Sequence, residues 1–228
     1  MKHIVSFSGG KDSTAMLLMM LEKGMQIDQI IFADTTLEFP EMYKYIDKIE
    51  NYIGREIVRT QPKKSFDDWC YGKITRGKRK GELRGLPLVL FGCYWMRESK
   101  VNAVKSYTIG NYVYFGIASD EYKRAKSKPD ITAVYPLVEM GITEMECLDY
   151  LRERDLINPL YKHVKRTGCW LCPKQGKGSL KHLYTFYPEL WERLKEYEKV
   201  SYEFHPDYKL IDLEKRFKEE NKQLTFQI

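Results

Sequence analysis

A glycine-containing loop joins the first predicted strand to the first predicted helix, and this junction constrains the fold more than any other feature. The strand is the apolar run His3–Phe7, the loop reads Ser-Gly-Gly-Lys-Asp-Ser-Thr over residues 8–14, and an apolar helical pattern covers residues 13–23. In parallel α/β sheets, the N–H groups and helix dipole at such a junction converge on anions. The sequence therefore predicts an α/β fold with an anion site after its first strand.

Strand and helix patterns continue to alternate along the chain. Further strands are predicted at Gln29–Ala33, 55–59 and 111–118, and helices at Pro40–Ile53, 95–107 and 143–154. This alternation predicts a doubly wound, mostly parallel sheet of five strands with right-handed crossovers. From residue 158 the strand patterns stop, and a cysteine-bearing turn precedes helical patterns at about 178–199 and 207–222. We therefore expect an α/β domain at 1–157, with a C-terminal cysteine-turn and helical segment at 158–228 packed on it.

Composition excludes several classes of protein. The 228 residues include 38 Lys and Arg against 32 Asp and Glu, a net charge of +6, and 43% are apolar. A chain of this length can bury a core without disulfides. The apolar run at 15–20 is too short to cross a bilayer, and no signal-peptide pattern is present. We expect a soluble, cytoplasmic protein without membrane contact, whose oligomeric state the sequence leaves open.

The loop at residues 8–14 is a specific phosphate-binding candidate. Its glycines allow close backbone approach, while Lys11 and the neighbouring hydroxyl groups supply donors. It is not a Walker A loop, because Val5 and Asp12 stand where that motif needs glycine and Ser or Thr. The structural alternative is an ordinary Gly-Gly turn that caps a helix.

Several ordered segments resemble one enzyme family. The first of these segments is the loop at 8–14. The next three are Phe-Ala-Asp-Thr-Thr-Leu-Glu-Phe-Pro-Glu at 32–41, Gly-Cys-Tyr-Trp-Met-Arg-Glu-Ser-Lys at 92–100 and Gly-Ile-Ala-Ser-Asp-Glu-Tyr-Lys-Arg at 116–124. The last three are Tyr-Pro-Leu at 135–137, Asn-Pro-Leu-Tyr at 158–161 and Gly-Cys-Trp-Leu-Cys-Pro at 168–173. Together they resemble the phosphoadenosine phosphosulfate (PAPS) reductase-like branch of the adenine nucleotide alpha hydrolase, or PP-loop ATP pyrophosphatase, superfamily. The resemblance covers about residues 3–195.

This resemblance implies roles for individual residues. The phosphates of an adenine nucleotide, ATP with Mg²⁺, would be held by Ser8, Gly9, Gly10, Lys11, Asp12 and Ser13. Asp34 and Thr35 would lie beside the ribose or adenine, and Arg124 would neutralise phosphate charge. Lys11 and Asp12 are also the expected catalytic residues of the loop. For Asp34 the structural alternative is a turn residue that caps the next helix.

The cysteines point to a metal centre. The five cysteines are Cys70, Cys93, Cys147, Cys169 and Cys172. The Cys-x-x-Cys turn at 169–172 fits a zinc ion, an iron–sulfur cluster or a redox pair. The resemblance brings Cys93 to that turn, which implies a [4Fe-4S] cluster on Cys93, Cys169 and Cys172 with one open iron and a catalytic role for Cys93; zinc is the alternative.

The other readings of the cysteines are structural. Cys93 could be a small buried apolar residue, as most reduced cysteines are, and Cys147 fits a helix core. Cys70 is a weaker candidate for a fourth ligand or a mobile thiol. The PAPS and APS reductases of the family carry a catalytic cysteine in a C-terminal Glu-Cys-Gly-(Ile/Leu)-His segment, and no cysteine follows Cys172 here. That departure favours sulfur transfer over sulfonucleotide reduction.

Two basic stretches indicate an anionic partner. The basic loop, residues 73–84, contains Lys73, Arg76, Lys78, Arg79, Lys80 and Arg84; a second cluster contains Lys123, Arg124, Lys126 and Lys128. Such stretches fit RNA or DNA phosphates, or simply a solvated face. Aromatic residues near the basic loop could stack on bases or belong to the core: Trp69, Tyr71, Tyr94 and Trp95.

Three functions follow in order of preference. The first is ATP-dependent adenylation of an acceptor, which could be a nucleic acid, followed by sulfur transfer from an iron–sulfur cluster. The second is a PAPS or APS reductase that uses the same pocket. The third is a nucleic-acid-binding module with a zinc knuckle and a retained nucleotide site.

Overall fold

Parallel strands form the centre of the fold. The computed structural model describes residues 1–87, 93–126, 130–201 and 204–225. The strands are β1 (His3–Phe7), β2 (Gln29–Ala33), β3 (Ile57–Thr60), β4 (Tyr112–Phe115) and β5 (Thr132–Val134). They form a five-stranded parallel sheet in the order β3-β2-β1-β4-β5. The predicted α/β fold with a parallel five-stranded sheet is therefore confirmed.

β1 is the central strand, and its burial explains its sequence. Val5 pairs with Ile30 of β2 on one side and with Tyr114 of β4 on the other. Ile4 and Val5 are fully buried. Strands of a parallel sheet that are covered on both faces are typically continuous apolar runs. The loop that follows β1 therefore begins at the middle of the sheet edge.

The bounds of several elements follow the sequence closely. The helices are α1 (Lys11–Glu22), α2 (Pro40–Ile53), α3 (Phe66–Cys70), α4 (Tyr94–Met96), α5 (Lys105–Thr108), α6 (Pro136–Glu139), α7 (Glu144–Glu153), α8 (Lys177–Phe186), α9 (Pro188–Lys199) and α10 (Leu210–Thr225). β1, β2 and α2 have the predicted bounds, whereas α1 begins two residues earlier than expected. α7 has the predicted capping box between Thr143 and Glu146.

Two helix predictions need correction. The single helix predicted at 95–107 is instead α4, a π-helix at Arg97–Asn102 and α5. Val101 is 51% exposed, so this segment lacks the continuous buried face that stabilises a long helix. The helix predicted at 178–199 is two helices, because Pro188 begins α9 and cannot continue α8. Among the described residues, no helix is both long and apolar enough to cross a membrane.

The chain divides into two compact units. Unit 1 contains Met1–Pro62 and Glu98–Lys162, and unit 2 contains Lys63–Arg97 and His163–Ile228. The predicted boundary after residue 157 falls close to the end of unit 1, but residues 63–97 group with the C-terminal part of the chain. The sequence does not predict that residues 63–97 belong to unit 2, because a segment inserted between two strands of one sheet has no local sequence pattern that marks it. The packing predicted for the segment 158–228 stays a prediction.

An aromatic cluster joins the two chain segments of unit 2. The ring of Phe66 lies 5.2 Å from that of Trp95 and 5.1 Å from that of Tyr197, and Trp69 lies 5.7 Å from Trp95. Arg193 donates to a carboxylate oxygen of Asp67 at 2.7 Å. Trp69 and Trp95 are thus core residues, not the base-stacking residues that were one of their two predicted roles.

Candidate functional site

The loop after β1 has a backbone shape that only glycine permits at one position. Gly9 has a φ of 71°, and a Cβ atom at this residue would lie 2.3 Å from Sδ of Met42. Gly10 is the N-cap of α1 and offers no side-chain cap. Helix N-termini without a side-chain cap leave backbone N–H groups available to an anion. The predicted anion site therefore has a suitable backbone.

Hydroxyl groups fix the loop from within. The Oγ atoms of Ser8 and Ser13 are 2.9 Å apart, and Ser13 Oγ donates to the Gly10 carbonyl at 3.1 Å. Thr14 Oγ1 also donates to that carbonyl, at 3.0 Å. Ser13 and Thr14 are buried, whereas Ser8 is exposed. Of the predicted hydroxyl donors, those of Ser13 and Thr14 thus stabilise the loop itself.

The loop contacts β4 through a second glycine. Gly116 follows β4, and a Cβ atom there would lie 2.5 Å from Cα and 2.6 Å from N of Ser13. Backbone atoms cannot move aside as a flexible side chain can. Gly116 therefore sets how closely the end of β4 approaches the first turn of α1.

Charged groups surround the loop lysine. Lys11 Nζ lies 2.7 Å from Oε1 of Glu144 and 3.3 Å from Oδ1 of Asp12. Asp12, Glu121 and Glu144 each offer a carboxylate oxygen, and these three atoms lie within 4.8 Å of one another. Burial, reinforced by the charges of Glu144 and Glu121, raises the pKa of Asp12. Burial alone would lower the pKa of Lys11, but its contacts with Glu144 and Asp12 outweigh burial and raise it.

The arginine of this region has an acidic partner. Arg124 ends the 3-10 helix Ser119–Arg124 and forms an ion pair with Glu121. Its side chain is 54% exposed. Glu121 is one of the three acids near Lys11, so the network contains three carboxylates and two cations. Lys128 of the second basic cluster and Gly92 of the cysteine segment lie outside the described residues.

Asp34 and Thr35 are buried in hydrogen bonds at the end of β2. Asp34 Oδ1 accepts from the backbone N–H of Thr36 at 2.7 Å and from the Tyr43 hydroxyl at 2.9 Å, and Oδ2 accepts from Gln61 at 2.9 Å. Thr35 Oγ1 donates to Glu38 at 2.9 Å. Burial and the charge of Asp34 raise the pKa of Tyr43. Asp34 thus accepts a turn hydrogen bond from Thr36, but it does not cap the next helix, because the N-cap residue of α2 is Phe39 and α2 has no side-chain cap.

Two residues of the 158–161 segment contact the loop. Asn158 Nδ2 donates to the Gly9 carbonyl at 2.9 Å, and the Tyr161 hydroxyl accepts from the Lys11 N–H at 3.0 Å. The sequence pointed to this segment as a motif but assigned it no role. Glu144 and Glu121 were also not predicted as site residues. The signals for these contacts lie in tertiary structure, since the paired residues are far apart in the chain.

A cavity of about 630 Å³ lies beside the loop in unit 1. Asn158 and Tyr161, which contact the loop, also line this cavity. Its remaining lining residues include the cations Lys44, Lys48, Arg152 and Lys162 and the anion Asp155. The charge balance favours an anionic occupant.

The predicted cysteine ligands all belong to unit 2. Cys93 Sγ accepts from the backbone N–H of Met96 at 3.3 Å, and the Cys172 N–H donates to the Cys169 carbonyl at 3.0 Å in a tight turn. Cys93, Cys169 and Cys172 are partly exposed. Cys70 and Cys147 are buried, and burial raises the pKa of each thiol to about 12. Their environments fit structural residues, as predicted for Cys147.

The sulfur spacing bears on the kind of metal centre. Three cysteines on one tetrahedral zinc ion, with Zn–S bonds of about 2.3 Å, have their sulfur atoms about 3.8 Å apart. Across the described parts of the chain, no cysteine belongs to a group of three ligand atoms that all lie within 4.8 Å. A cubane cluster holds its cysteine sulfurs farther apart than a single ion does. Cys93, Cys169 and Cys172 therefore do not form a compact group of this kind in the described parts of the chain.

The basic loop lies outside the central sheet, as predicted. Lys73 and Leu83 form an isolated antiparallel bridge, and the Ile74 N–H donates to the Glu82 carbonyl at 2.8 Å. Arg79 forms an ion pair with Glu82 at 2.8 Å. Four cations of this loop are exposed: Lys73, Arg76, Lys78 and Lys80. Exposed cations on a hairpin-like loop are geometrically able to follow a phosphate backbone.

Comparisons with known proteins agree with the fold. Residues 2–73 match the sequence profile of the phosphoadenosine phosphosulfate reductase domain. An uncharacterized protein of Methanocaldococcus jannaschii is 32% identical over 206 residues, which cover 85% of this chain and 42% of the relative. The chain thus spans less than half the length of that curated relative.

Two solved structures resemble this one. The crystal structure of PAPS reductase from Candida auris, a phosphate complex, has a TM-score of 0.50 at 19% identity and covers 73% of this chain and 81% of its own. The U34-tRNA thiolase of Methanococcus maripaludis, with its [4Fe-4S] cluster, has a TM-score of 0.44 at 14% identity and covers 95% of this chain and 80% of its own. The first of these structures supports the fold assignment.

Proposed function

Because residues 2–73 match the phosphoadenosine phosphosulfate reductase domain, we propose that this chain is an ATP-dependent sulfur-transfer enzyme of the PAPS reductase-like group in the adenine nucleotide alpha hydrolase superfamily. An acceptor oxygen attacks the α-phosphorus of ATP, the bond to the β-phosphate oxygen breaks, and pyrophosphate leaves. The acceptor is then adenylated. Sulfide replaces the activated oxygen, which leaves with AMP.

The phosphate loop is the observation that carries this proposal. The N-cap residue of α1, Gly10, supplies no side-chain cap, and glycine at positions 9 and 116 allows close approach of the backbone. Lys11 adds a positive charge at the same place. Preorganised donors of this kind stabilise charge on a phosphate that is transferred or expelled. In this proposal, Lys11 and the loop N–H groups hold the departing pyrophosphate.

The three acids near Lys11 fit a magnesium ion in their chemistry. Mg²⁺ prefers oxygen ligands and commonly binds one or two carboxylates together with substrate phosphates. Asp12, Glu121 and Glu144 would supply those carboxylates, and the ion would neutralise phosphate charge there. Lys11, whose ammonium group contacts Glu144, would turn toward the phosphate.

The cysteines of unit 2 are the proposed ligands of an iron–sulfur cluster. Cys93, Cys169 and Cys172 are partly exposed, whereas the remaining two cysteines are buried with high thiol pKa values. When bound, such a cluster would supply sulfide to the activated acceptor. Three protein ligands leave one iron open for that sulfide.

The alternatives have less support. A PAPS or APS reductase needs a nucleophilic thiolate, and Cys70, its strongest candidate, is buried with a pKa of about 12. A zinc-knuckle binding module gives the phosphate loop and Lys11 no catalytic role. The proposal also includes nucleic acid as the acceptor, bound through the basic loop. It includes the predicted cytoplasmic location as well.

The experiment that tests the proposal follows the fate of ATP. The protein, purified without oxygen, is incubated with labelled ATP, Mg²⁺, inorganic sulfide and a pool of cellular RNA or DNA, and AMP and pyrophosphate are measured. We expect both products in equal amounts, and their loss in Lys11→Ala. Lys23→Ala, at the opposite end of α1, is the matched control. If wild-type protein forms neither product while it binds nucleic acid, the binding-module alternative replaces this proposal.

A further inference from the structure

The hydroxyl of Tyr161 lies at the N-terminus of α1, in the loop region proposed to bind phosphate. It accepts a hydrogen bond of 3.0 Å from the backbone N–H of Lys11, the first residue of α1. This N–H group belongs to the set that binds anions at a helix N-terminus. Tyr161 is only partly buried, so a ligand at the loop can reach its hydroxyl group.

The local backbone holds Tyr161 in this position. Asn158, which is 1% exposed, donates to the Gly9 carbonyl at 2.9 Å and accepts from the Leu160 N–H at 3.0 Å. The Tyr161 N–H donates to the Asn158 carbonyl at 3.0 Å. Leu160 is buried as well. The segment is therefore fixed to the loop on both sides of Pro159, and the hydroxyl position does not depend on a flexible surface side chain.

The direction of the Tyr161 proton follows from hydrogen-bond chemistry. A tyrosine hydroxyl donates one hydrogen bond and accepts others. Here an accepting position is used by Lys11, and within the described residues the Tyr161 hydroxyl donates to no protein group. Its proton is available to an acceptor that lies beside the Lys11 N–H.

We propose that Tyr161 is a phosphate-binding residue of the nucleotide site, whose hydroxyl donates to a phosphate oxygen held at the start of α1. This inference rests on the proposed function, because it needs a phosphate at that loop. The opposing role is that of a competitor, which occupies the Lys11 N–H and must leave when phosphate binds. The two roles predict opposite effects of removing the hydroxyl group.

Tyr161→Phe separates these roles. The substitution removes the donor but also releases the Lys11 N–H for the ligand, so in a folded protein the proposed role predicts weaker affinity and the competing role predicts equal or stronger affinity. Binding of inorganic pyrophosphate with Mg²⁺ is measured by titration calorimetry. We expect affinity to fall about tenfold or more, as is typical for a lost hydrogen bond to a charged group. Tyr52→Phe, at a side chain that is 56% exposed, is the control and should bind as wild type does.

Unchanged or stronger binding by a folded Tyr161→Phe protein overturns the inference and leaves the proposed function intact. If wild-type protein binds no pyrophosphate, the proposed function fails as well. Should the variant unfold, nitration of wild-type tyrosines with and without pyrophosphate decides the question. Protection of Tyr161 by pyrophosphate supports ligation, increased nitration shows displacement, and unchanged nitration also contradicts the inference.

Discussion

A side chain at Gly116 would overlap the backbone of Ser13, since its Cβ atom would lie 2.5 Å from the Ser13 Cα. The strand that ends before Gly116 and the helix that contains Ser13 thus meet with no room for a methyl group. This contact fixes the first turn of α1, and with it the phosphate loop, against the end of β4.

Gly116→Ala should therefore weaken both stability and phosphate binding. Overpacking against backbone costs about 1–3 kcal/mol, which urea denaturation can measure. Pyrophosphate affinity should fall together with stability, because α1 must shift. Gly178→Ala is the control: its Cβ atom meets nothing within 4 Å, and alanine in a helix should leave the protein as stable or slightly more stable. Equal stability of the two variants would contradict the prediction.

Glu144→Gln should change how pyrophosphate binding depends on magnesium. The substitution weakens the partner of Lys11, so without Mg²⁺ the lysine is more available and binding should improve a few-fold. With Mg²⁺ present, one of the three carboxylates is missing and the gain from magnesium should shrink. Titration calorimetry in EDTA and in Mg²⁺ measures both effects. Glu153→Gln, at the other end of α7 with a side chain that is 76% exposed, should behave as wild type. An identical magnesium response in both variants would rule out this role for Glu144.

Protein purified without oxygen should contain iron and acid-labile sulfide in nearly equal amounts and absorb visible light. Single Ser substitutions at Cys93, Cys169 and Cys172 should each remove most of the iron. Cys147→Ala should keep it, because Cys147 is a buried residue of unit 1. A colourless protein with one zinc ion per chain would favour the binding module instead.

Acid should destabilise unit 2 through Glu214. Its carboxylate accepts from Lys195 at 2.7 Å, Lys218 at 2.5 Å and Trp191 at 3.3 Å, and these contacts lower its pKa from 4.5 to about 2. A lowered carboxyl pKa stabilises the folded state fully above the unfolded pKa, and this contribution disappears as the pH falls from about 4.5 to about 2.

At neutral pH, Glu214→Gln should lose roughly 3 kcal/mol at most. The difference from wild type should vanish near pH 2, as followed by tryptophan fluorescence during denaturation. Glu219→Gln, on the exposed face of α10, is the control and should not alter the pH profile. A difference between wild type and Glu214→Gln that persists undiminished at pH 2 would show that packing, not ionisation, causes it.

The basic loop should bind RNA or DNA in a salt-dependent way. Replacing Lys78 and Lys80 by Glu should weaken binding of a single-stranded oligonucleotide and reduce the slope of affinity against salt concentration. The hairpin contacts at Lys73 and Leu83 do not involve these side chains, so the fold should persist. An unchanged slope, measured by fluorescence anisotropy, would identify the loop as a solvated face.

The sequence predicts those parts of the structure whose causes are local. β1 and α2 follow from apolar runs and from Pro40 at a helix start, and the glycine loop follows from its own residues. β5 could not be located in this way, because it has only three partly exposed residues before a proline. The contacts of Lys11 with Glu144 and of Gly9 with Asn158 span 133 and 149 residues, so no local pattern contains them.

The two-segment construction of unit 2 also affects how the chain folds during synthesis. Phe66, Trp69 and Trp95 leave the ribosome long before Tyr197, whose ring packs against Phe66 in the folded protein. Until then these aromatic rings have no complete core and remain exposed to other apolar surfaces in the cell. Non-local contacts of this kind form slowly, and exposed intermediates are prone to aggregate. We therefore expect newly made chains to depend on chaperones between the synthesis of residue 97 and that of the C-terminal helices.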